Sequence, residues 1–110
     1  MSDEALELLN DIHSECLTVR EFVEGHTFES YCADKKTRFA VERCFEIIGE
    51  ALIRLSRVAP DKVEAIRGYR DIRSFRNILA HAYDHVEDRI VWGIIQRDLD
   101  RLIEDVQKVC

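Results

Sequence analysis

Apolar residues recur with a period of about 3.6 along almost the whole chain, which restricts it to helical structure. The first such stripe consists of Leu6, Leu9, Ile12, Cys16, Val19 and Val23. Only four glycines and one proline interrupt the 110 residues, too few turn formers for a sandwich or barrel of many short strands. Because no alternating strand pattern and no internal repeat is present, the sequence predicts an all-α protein.

The periodicity predicts four long helices, at about Asp3–Val23, Asp34–Val58, Tyr69–Tyr83 and Asp88–Val106. Residues Thr27–Cys32 are expected to form a short turn or a single helical turn, and the expected breaks lie at Gly25, Pro60 and Gly68. Short connections favour antiparallel neighbours, so we expect one domain over residues 1–110, an up-down bundle of four or five helices. A domain of this size would gain core by pairing with a second chain.

Two further expectations concern location and thiol chemistry. No apolar run approaches the roughly 18 residues of a membrane span, and the acidic N-terminus is unlike a signal peptide, so a cytoplasmic protein is expected. The cysteines form no CxxC pair, which favours reduced thiols over a zinc site or a disulfide framework. Cys16 and Cys44 lie on apolar helix faces and are expected to be core residues.

The charge of the chain is unevenly distributed. The net charge of -6 argues at first against nucleic acid, because an acidic protein repels a phosphate backbone. Residues 1–34, however, carry a net charge of -8, residues 35–83 carry +5 and residues 84–110 carry -3. The overall charge therefore leaves a nucleic-acid partner open.

Two faces can be distinguished on the predicted third helix. At about 100° per residue, one apolar stripe collects Ile72, Phe75, Leu79 and Ala82. The row Arg73, Asn77 and His81 faces away from that stripe, with Arg70 beside it, and Arg76 and Tyr83 lie together at its margin. A polar row of this kind on an otherwise buried helix is a candidate functional surface.

Arginine recurs at every third position from Arg67 to Arg76. Its planar guanidinium can grip two phosphate oxygens, so several arginines on one surface suit an RNA backbone. The alternative is an ordinary solvated face whose arginines pair with the acidic first or last helix, and spacing alone favours that alternative.

His81 is the candidate general acid or base of this surface, because imidazole exchanges a proton near neutral pH. A lone helical histidine is nevertheless more often structural or merely exposed. Asn77, one turn away, could orient the imidazole or hold a phosphate oxygen. Tyr83 could cap the apolar stripe or present its hydroxyl at the edge of a cleft.

The stretch R-N-I-L-A-H-A-Y at residues 76–83 matches the R-x-x-x-x-H-x-Y signature of HEPN domains. The resemblance to the HepT toxin branch of that superfamily covers nearly the whole chain. It includes residues 27–31, 40–43, 48–51 and 91–95, followed by Asp98, Leu99 and Leu102. The chain departs from common members just before the motif, where Arg73-Ser74-Phe75 replaces a frequent tryptophan, a change that would alter the cleft wall but not the catalytic residues.

The resemblance implies a helical homodimer whose two motifs meet in a cleft between subunits, and a metal-independent endoribonuclease that needs no cofactor. Carried over by position, Arg76 and His81 would be catalytic, and Tyr83 would receive AMP from a minimal nucleotidyltransferase (MntA-like) antitoxin. Asn77, Arg73 and Arg70 would be auxiliary contacts to RNA or phosphate.

Two alternatives stay open from the sequence. One is a non-catalytic HEPN module whose acidic helices bind a protein partner. The other is a nucleotide-binding helper of the nucleotidyltransferase, although the chain lacks a glycine-rich phosphate loop.

Overall fold

A computed structural model describes residues 2–72 and 88–110. These ranges form helices and turns without a strand, so the all-α prediction is confirmed for them. Their six helices are α1 (Asp3–Val23), α2 (Phe28–Ala33), α3 (Lys35–Val58), α4 (Pro60–Glu64), α5 (Asp88–Arg97) and α6 (Leu99–Val109). Residues 69–72 are also helical, where the first described range ends.

Short polar side chains start the first three helices. The Ser2 hydroxyl accepts a hydrogen bond from the Ala5 amide at 3.2 Å, and the Asp34 carboxylate accepts one from the Thr37 amide at 3.1 Å. Thr27 and Ser30 bond each other's amides in a capping box that starts α2. Each cap satisfies an amide that lacks a partner inside its own helix, which is why helices begin at these positions.

Helix α1 runs antiparallel to both α3 and α6. Near the start of α1, Glu4 pairs with Arg54 from the last turns of α3. Near the end of α1, Arg20 pairs with Asp100 from the first turn of α6 at 2.6 Å. Short connections and these antiparallel contacts agree with the predicted bundle.

One core joins the described helices. It is formed from the apolar stripes of α1, α3, α5 and α6, whose most buried members include Leu9, Ile12, Phe45, Ile48, Leu52 and Leu102. Cys16 and Cys44 are buried in it as free thiols, as the sequence predicts. Burial raises the pKa of each of these two thiols to about 12, which keeps them protonated.

The prediction of one continuous helix at Asp88–Val106 is wrong in one respect. The structure divides this segment at Asp98 into α5 and α6. The Arg97 guanidinium donates to the Gly93 carbonyl in the last turn of α5, and the Asp98 carboxylate accepts from Arg101 in the first turn of α6. The Asp98 side chain does not cap α6, and the Asp98 and Leu102 amides still bond to the carbonyls four residues earlier, so α6 follows α5 almost directly. Among the described residues, no helix is both long enough and apolar enough to cross a membrane.

Candidate functional site

The R-x-x-x-x-H-x-Y motif lies outside the described residues. This applies to Arg73, Arg76, Asn77, His81 and Tyr83, whose roles therefore stay predictions. The structure does describe Arg70 and the two flanks of the motif, which end at Ile72 on one side and begin again at Asp88 on the other.

Asp105 holds the flank before the motif. This carboxylate on α6 is only 4% exposed, and it accepts from the Arg67 backbone amide at 2.9 Å. It also accepts from the Arg67 guanidinium, through Nε at 3.0 Å and a terminal nitrogen at 2.9 Å. The hydrogen bonds from Arg67 lower the pKa of Asp105 despite its burial. The turn that precedes the motif is thereby attached to α6.

Gly68 makes the turn itself possible. Its φ of +73° lies in the left-handed region that favours glycine. A Cβ at this position would lie 2.8 Å from a terminal nitrogen of Arg101, so a side chain here would require the end of the Arg101 side chain to shift. The chain turns here between α4 and the helical residues 69–72.

Arg70 belongs to a small polar group on the same flank. The Tyr69 hydroxyl donates to Glu64 at 2.7 Å, and Arg70 Nε donates to the Tyr69 oxygen at 3.0 Å. The Arg70 guanidinium also pairs with Glu64 at 3.4 Å, although its side chain remains 71% exposed. Arg70 thus stays accessible to a phosphate while Glu64 offsets part of its charge.

The arginines before the motif therefore agree in part with the alternative of an ordinary paired face. Arg67 pairs with the last helix through Asp105 and Glu104. Of the arginines at every third position, only Arg67 and Arg70 are described, and each has an acidic partner. A basic RNA-binding surface would then depend mainly on Arg73 and Arg76.

A second polar group, here called the Asp88 cluster, lies on the flank after the motif. It consists of Tyr31, Cys32, Arg38, Glu42 and Asp88. A terminal nitrogen of Arg38 lies 3.9 Å from an Asp88 carboxylate oxygen, and the nearby Asp88 carboxylate helps to raise the pKa of the Cys32 thiol. Three helices, α2, α3 and α5, therefore contribute to the cluster.

The cluster is enclosed enough to change the titration of its members. Burial raises the pKa of the Glu42 carboxyl, and the neighbouring Asp88 charge raises it further. Burial is also the main cause that raises the pKa of the Cys32 thiol, followed by the charge of Asp88. Arg38 opposes both shifts, since a cation favours the ionised forms. Arg38 thus places a positive charge beside the carboxyl groups of Glu42 and Asp88.

Aromatic packing holds the same region together. The Trp92 ring of α5 lies 5.2 Å from the Tyr31 ring and 6.3 Å from the Phe28 ring, measured between centroids. Such tilted ring pairs add to the apolar burial of the contact. The first turns of α5 are consequently packed against α2 as well as facing Arg38 of α3.

The residue order and helical periodicity that indicate the motif do not predict the contacts of Asp105 or of the Asp88 cluster. A usable signal existed for Asp105, because it lies among Leu102, Ile103 and Val106 on the apolar side of α6. A carboxylate at such a position requires a partner. For Arg38 and Asp88, which are 50 positions apart in the chain, local spacing offers no comparable signal.

Comparison with known proteins agrees with this architecture. The family model described as "Ribonuclease HepT-like" matches residues 12–109, a range that includes the motif and both of its flanks. The chain is 34% identical to a protein of Thermococcus cleftensis named "Probable ribonuclease HepT", over 92% of this chain and 91% of that protein. No solved structure matches the chain.

Two candidate RNases are similar over the same share of this chain. Each matches 92% of this chain. The protein from Caldanaerobacter subterraneus subsp. tengcongensis is 32% identical over 89% of its own length, and the protein from Methanocaldococcus jannaschii is 29% identical over 92% of its own length. The chain is thus an all-α protein of the ribonuclease class. More narrowly, it belongs to the HepT-like ribonuclease family.

Proposed function

We propose that this chain is a metal-independent endoribonuclease whose catalytic residues are Arg76 and His81. The observation that carries the proposal is the complete R-x-x-x-x-H-x-Y motif at residues 76–83, inside the range that matches the HepT-like ribonuclease family. Cleavage of RNA without a metal uses the 2′-hydroxyl as the nucleophile. His81 moves the proton that this reaction requires, and Arg76 stabilises the negative charge of the transition state.

We place this reaction in a cleft of a homodimer. On the flank before the motif, Arg67 and Arg70 each have an acidic partner, which leaves little uncompensated positive charge there. Two copies would bring two Arg76 and two His81 side chains to one site and would add their remaining arginines. This dimer would concentrate positive charge in a narrow cleft on a protein that is acidic overall.

In this proposal the enzyme is the toxin of a toxin–antitoxin pair. Its antitoxin is a minimal nucleotidyltransferase that transfers AMP from ATP to the Tyr83 hydroxyl, with release of pyrophosphate. The added phosphate and nucleoside oppose RNA binding by repulsion and by bulk. Of the chain's other two tyrosines, Tyr31 is fully buried and Tyr69 is 8% exposed, so neither offers a comparable acceptor.

Replacement of the motif residues tests the ribonuclease proposal. We expect His81→Ala to lower the RNA cleavage rate about 10²- to 10⁴-fold, as for loss of a general acid or base. Arg76→Ala should lower it about 10²- to 10³-fold, as for loss of a charge-stabilising donor. Cleavage of a labelled RNA by purified, antitoxin-free protein is measured with and without EDTA.

Matched variants control for contaminating nucleases and for misfolding. His13→Ala changes a histidine of α1 that contacts Gln107, and Arg57→Ala changes an exposed arginine at the end of α3. Both should cleave RNA like the unmodified protein. Equal cleavage by His81→Ala and His13→Ala would refute the assignment of His81, and absence of cleavage by every form would favour the non-catalytic interaction module.

Mass spectrometry of the intact protein tests the antitoxin step. After incubation with the nucleotidyltransferase and ATP, the chain should gain one or more AMP units and lose ribonuclease activity. Tyr83→Phe should abolish the modification, whereas Tyr69→Phe should retain it. Inhibition of cleavage without any gain in mass would instead indicate neutralisation by complex formation.

A further inference from the structure

The Asp88 cluster joins the region after the motif to the rest of the molecule. Asp88 is the first residue of α5 and lies five positions after Tyr83 and seven after His81. Five residues can span at most about 18 Å, so the placement of Asp88 limits where the end of the motif can lie. Any contact that holds Asp88 therefore also restrains the catalytic segment.

Arg38 is well placed to provide such a contact. It lies one turn into α3, and its terminal nitrogen is 3.9 Å from an Asp88 carboxylate oxygen. Both side chains are largely enclosed, 25% and 20% exposed, so their attraction is screened less than that of a surface pair. The packing of Tyr31 and Phe28 on Trp92 holds the same end of α5 from α2.

Polar atoms of the cluster remain available for a further contact. Among the described residues, the Tyr31 hydroxyl, Arg38 Nε and one Asp88 oxygen are buried without a hydrogen-bond partner. A buried polar group without a partner costs about 1–3 kcal/mol, and three of them in one cluster are more than a fold usually leaves unsatisfied. Such groups are retained where a neighbouring segment or an ordered water completes the network.

We propose that Arg38 is a positioning residue for the ribonuclease reaction, which it serves by holding Asp88 and hence the end of the segment that carries His81 and Tyr83. This inference rests on the proposed function. Arg38 touches neither substrate nor reacting atoms in this role. The competing explanation is that Arg38 only offsets the charges of Glu42 and Asp88 and thereby stabilises the fold.

Kinetics of Arg38→Gln separate these two roles. A shift of about 1 Å in a catalytic group can cost up to about 10²-fold in rate, so kcat should fall about 10-fold or more while KM changes little. Arg38→Lys keeps the cation and should restore most of kcat. The matched control is Arg43→Gln on the same helix, which removes an arginine paired locally with Glu46 at 3.2 Å and should leave kcat unchanged.

A double-mutant cycle tests whether Arg38 acts through Asp88. Asp88→Asn should lower kcat about as much as Arg38→Gln, and the double variant should be no slower than either single variant. All rates are measured well below the melting temperature of each variant. A normal kcat in Arg38→Gln with only a lower melting temperature, or fully additive losses in the double variant, would overturn the proposal.

Hydrogen exchange provides a readout that does not depend on RNA cleavage. Arg38→Gln should accelerate amide exchange in the first turn of α5, and Arg43→Gln should not. If the unmodified protein cleaves no RNA, the proposed function fails, and the exchange result still decides whether Arg38 holds α5. Unchanged exchange in Arg38→Gln would refute the positioning role even in an active ribonuclease.

Discussion

At the scale of single residues, Asp105 shows how a buried charge acquires a structural task. Its carboxylate is enclosed by the apolar side of α6, yet it binds both the backbone amide and the guanidinium of Arg67. A buried carboxylate without such partners would favour its protonated form, whereas the hydrogen bonds from Arg67 lower the pKa of Asp105 instead. Asp105 therefore links the turn before the motif to the C-terminal helix.

This depressed pKa predicts a pH dependence of stability. Because the pKa of Asp105 is lower in the folded than in the unfolded chain, its contribution is fully present above the unfolded value of about 3.9. The contribution is lost as the pH falls through the lower folded pKa. We therefore expect Asp105→Asn to lower the melting temperature by several degrees at pH 7, with the difference shrinking below about pH 4.

Asp100→Asn is the matched control, because Asp100 lies on the same helix and pairs with Arg20 while 86% exposed. An exposed ion pair contributes little, so this variant should melt close to the unmodified protein at pH 7. Thermal unfolding followed by circular dichroism between pH 3 and 7 measures both variants. A difference for Asp105→Asn that is as large at pH 3 as at pH 7 would contradict the prediction.

At the scale of elements, the junctions were harder to predict than the helices. The bounds of α1 agree with the periodicity, and α3 differs by one residue because Asp34 is its cap rather than its first turn. The break at Asp98 was missed, since the apolar stripe continues across it from α5 into α6. Periodicity records which side of a helix is buried, and it contains little information on where one helix ends and the next begins.

The two glycines with positive φ allow a comparison between junctions. Alanine at either position adopts an unfavourable left-handed conformation, which costs about 1–2 kcal/mol. At Gly25 (φ +81°) an added Cβ meets nothing within 4 Å, whereas at Gly68 it lies 2.8 Å from Arg101. Gly68→Ala must also displace Arg101, which pairs with Asp98 at the α5–α6 junction.

We therefore expect Gly68→Ala to destabilise the protein more than Gly25→Ala does. Urea unfolding of the two variants measures the difference in their free energies of unfolding. Adding Arg101→Ala to each variant should reduce the excess loss of Gly68→Ala, because the clash is then absent. Equal losses in both glycine variants would show that Arg101 moves aside without cost.

At the scale of the whole molecule, the tertiary structure changes the meaning of the charge distribution. Residues 35–83 are basic in sequence, but among the described arginines of that range Arg54 pairs with α1, Arg67 with α6 and Arg38 with α5. Part of the basic middle thus balances acids that are distant in the chain. The remaining positive charge becomes effective for RNA only where it is concentrated, as in the cleft of the proposed dimer.

The sequence by itself determined the all-α class, the courses of α1 and α3, the core positions of Cys16 and Cys44, and the motif that identifies Arg76 and His81 as candidates. These features depend on local periodicity and on residue order, which a linear pattern contains. Only the tertiary structure decided that Asp105 holds Arg67 and that Arg38 faces Asp88. The partners of the first contact are 38 positions apart in the chain, and those of the second are 50 positions apart. Both contacts exist because the packed helices bring the partners together in a partly enclosed space, where an unpaired charge is unfavourable.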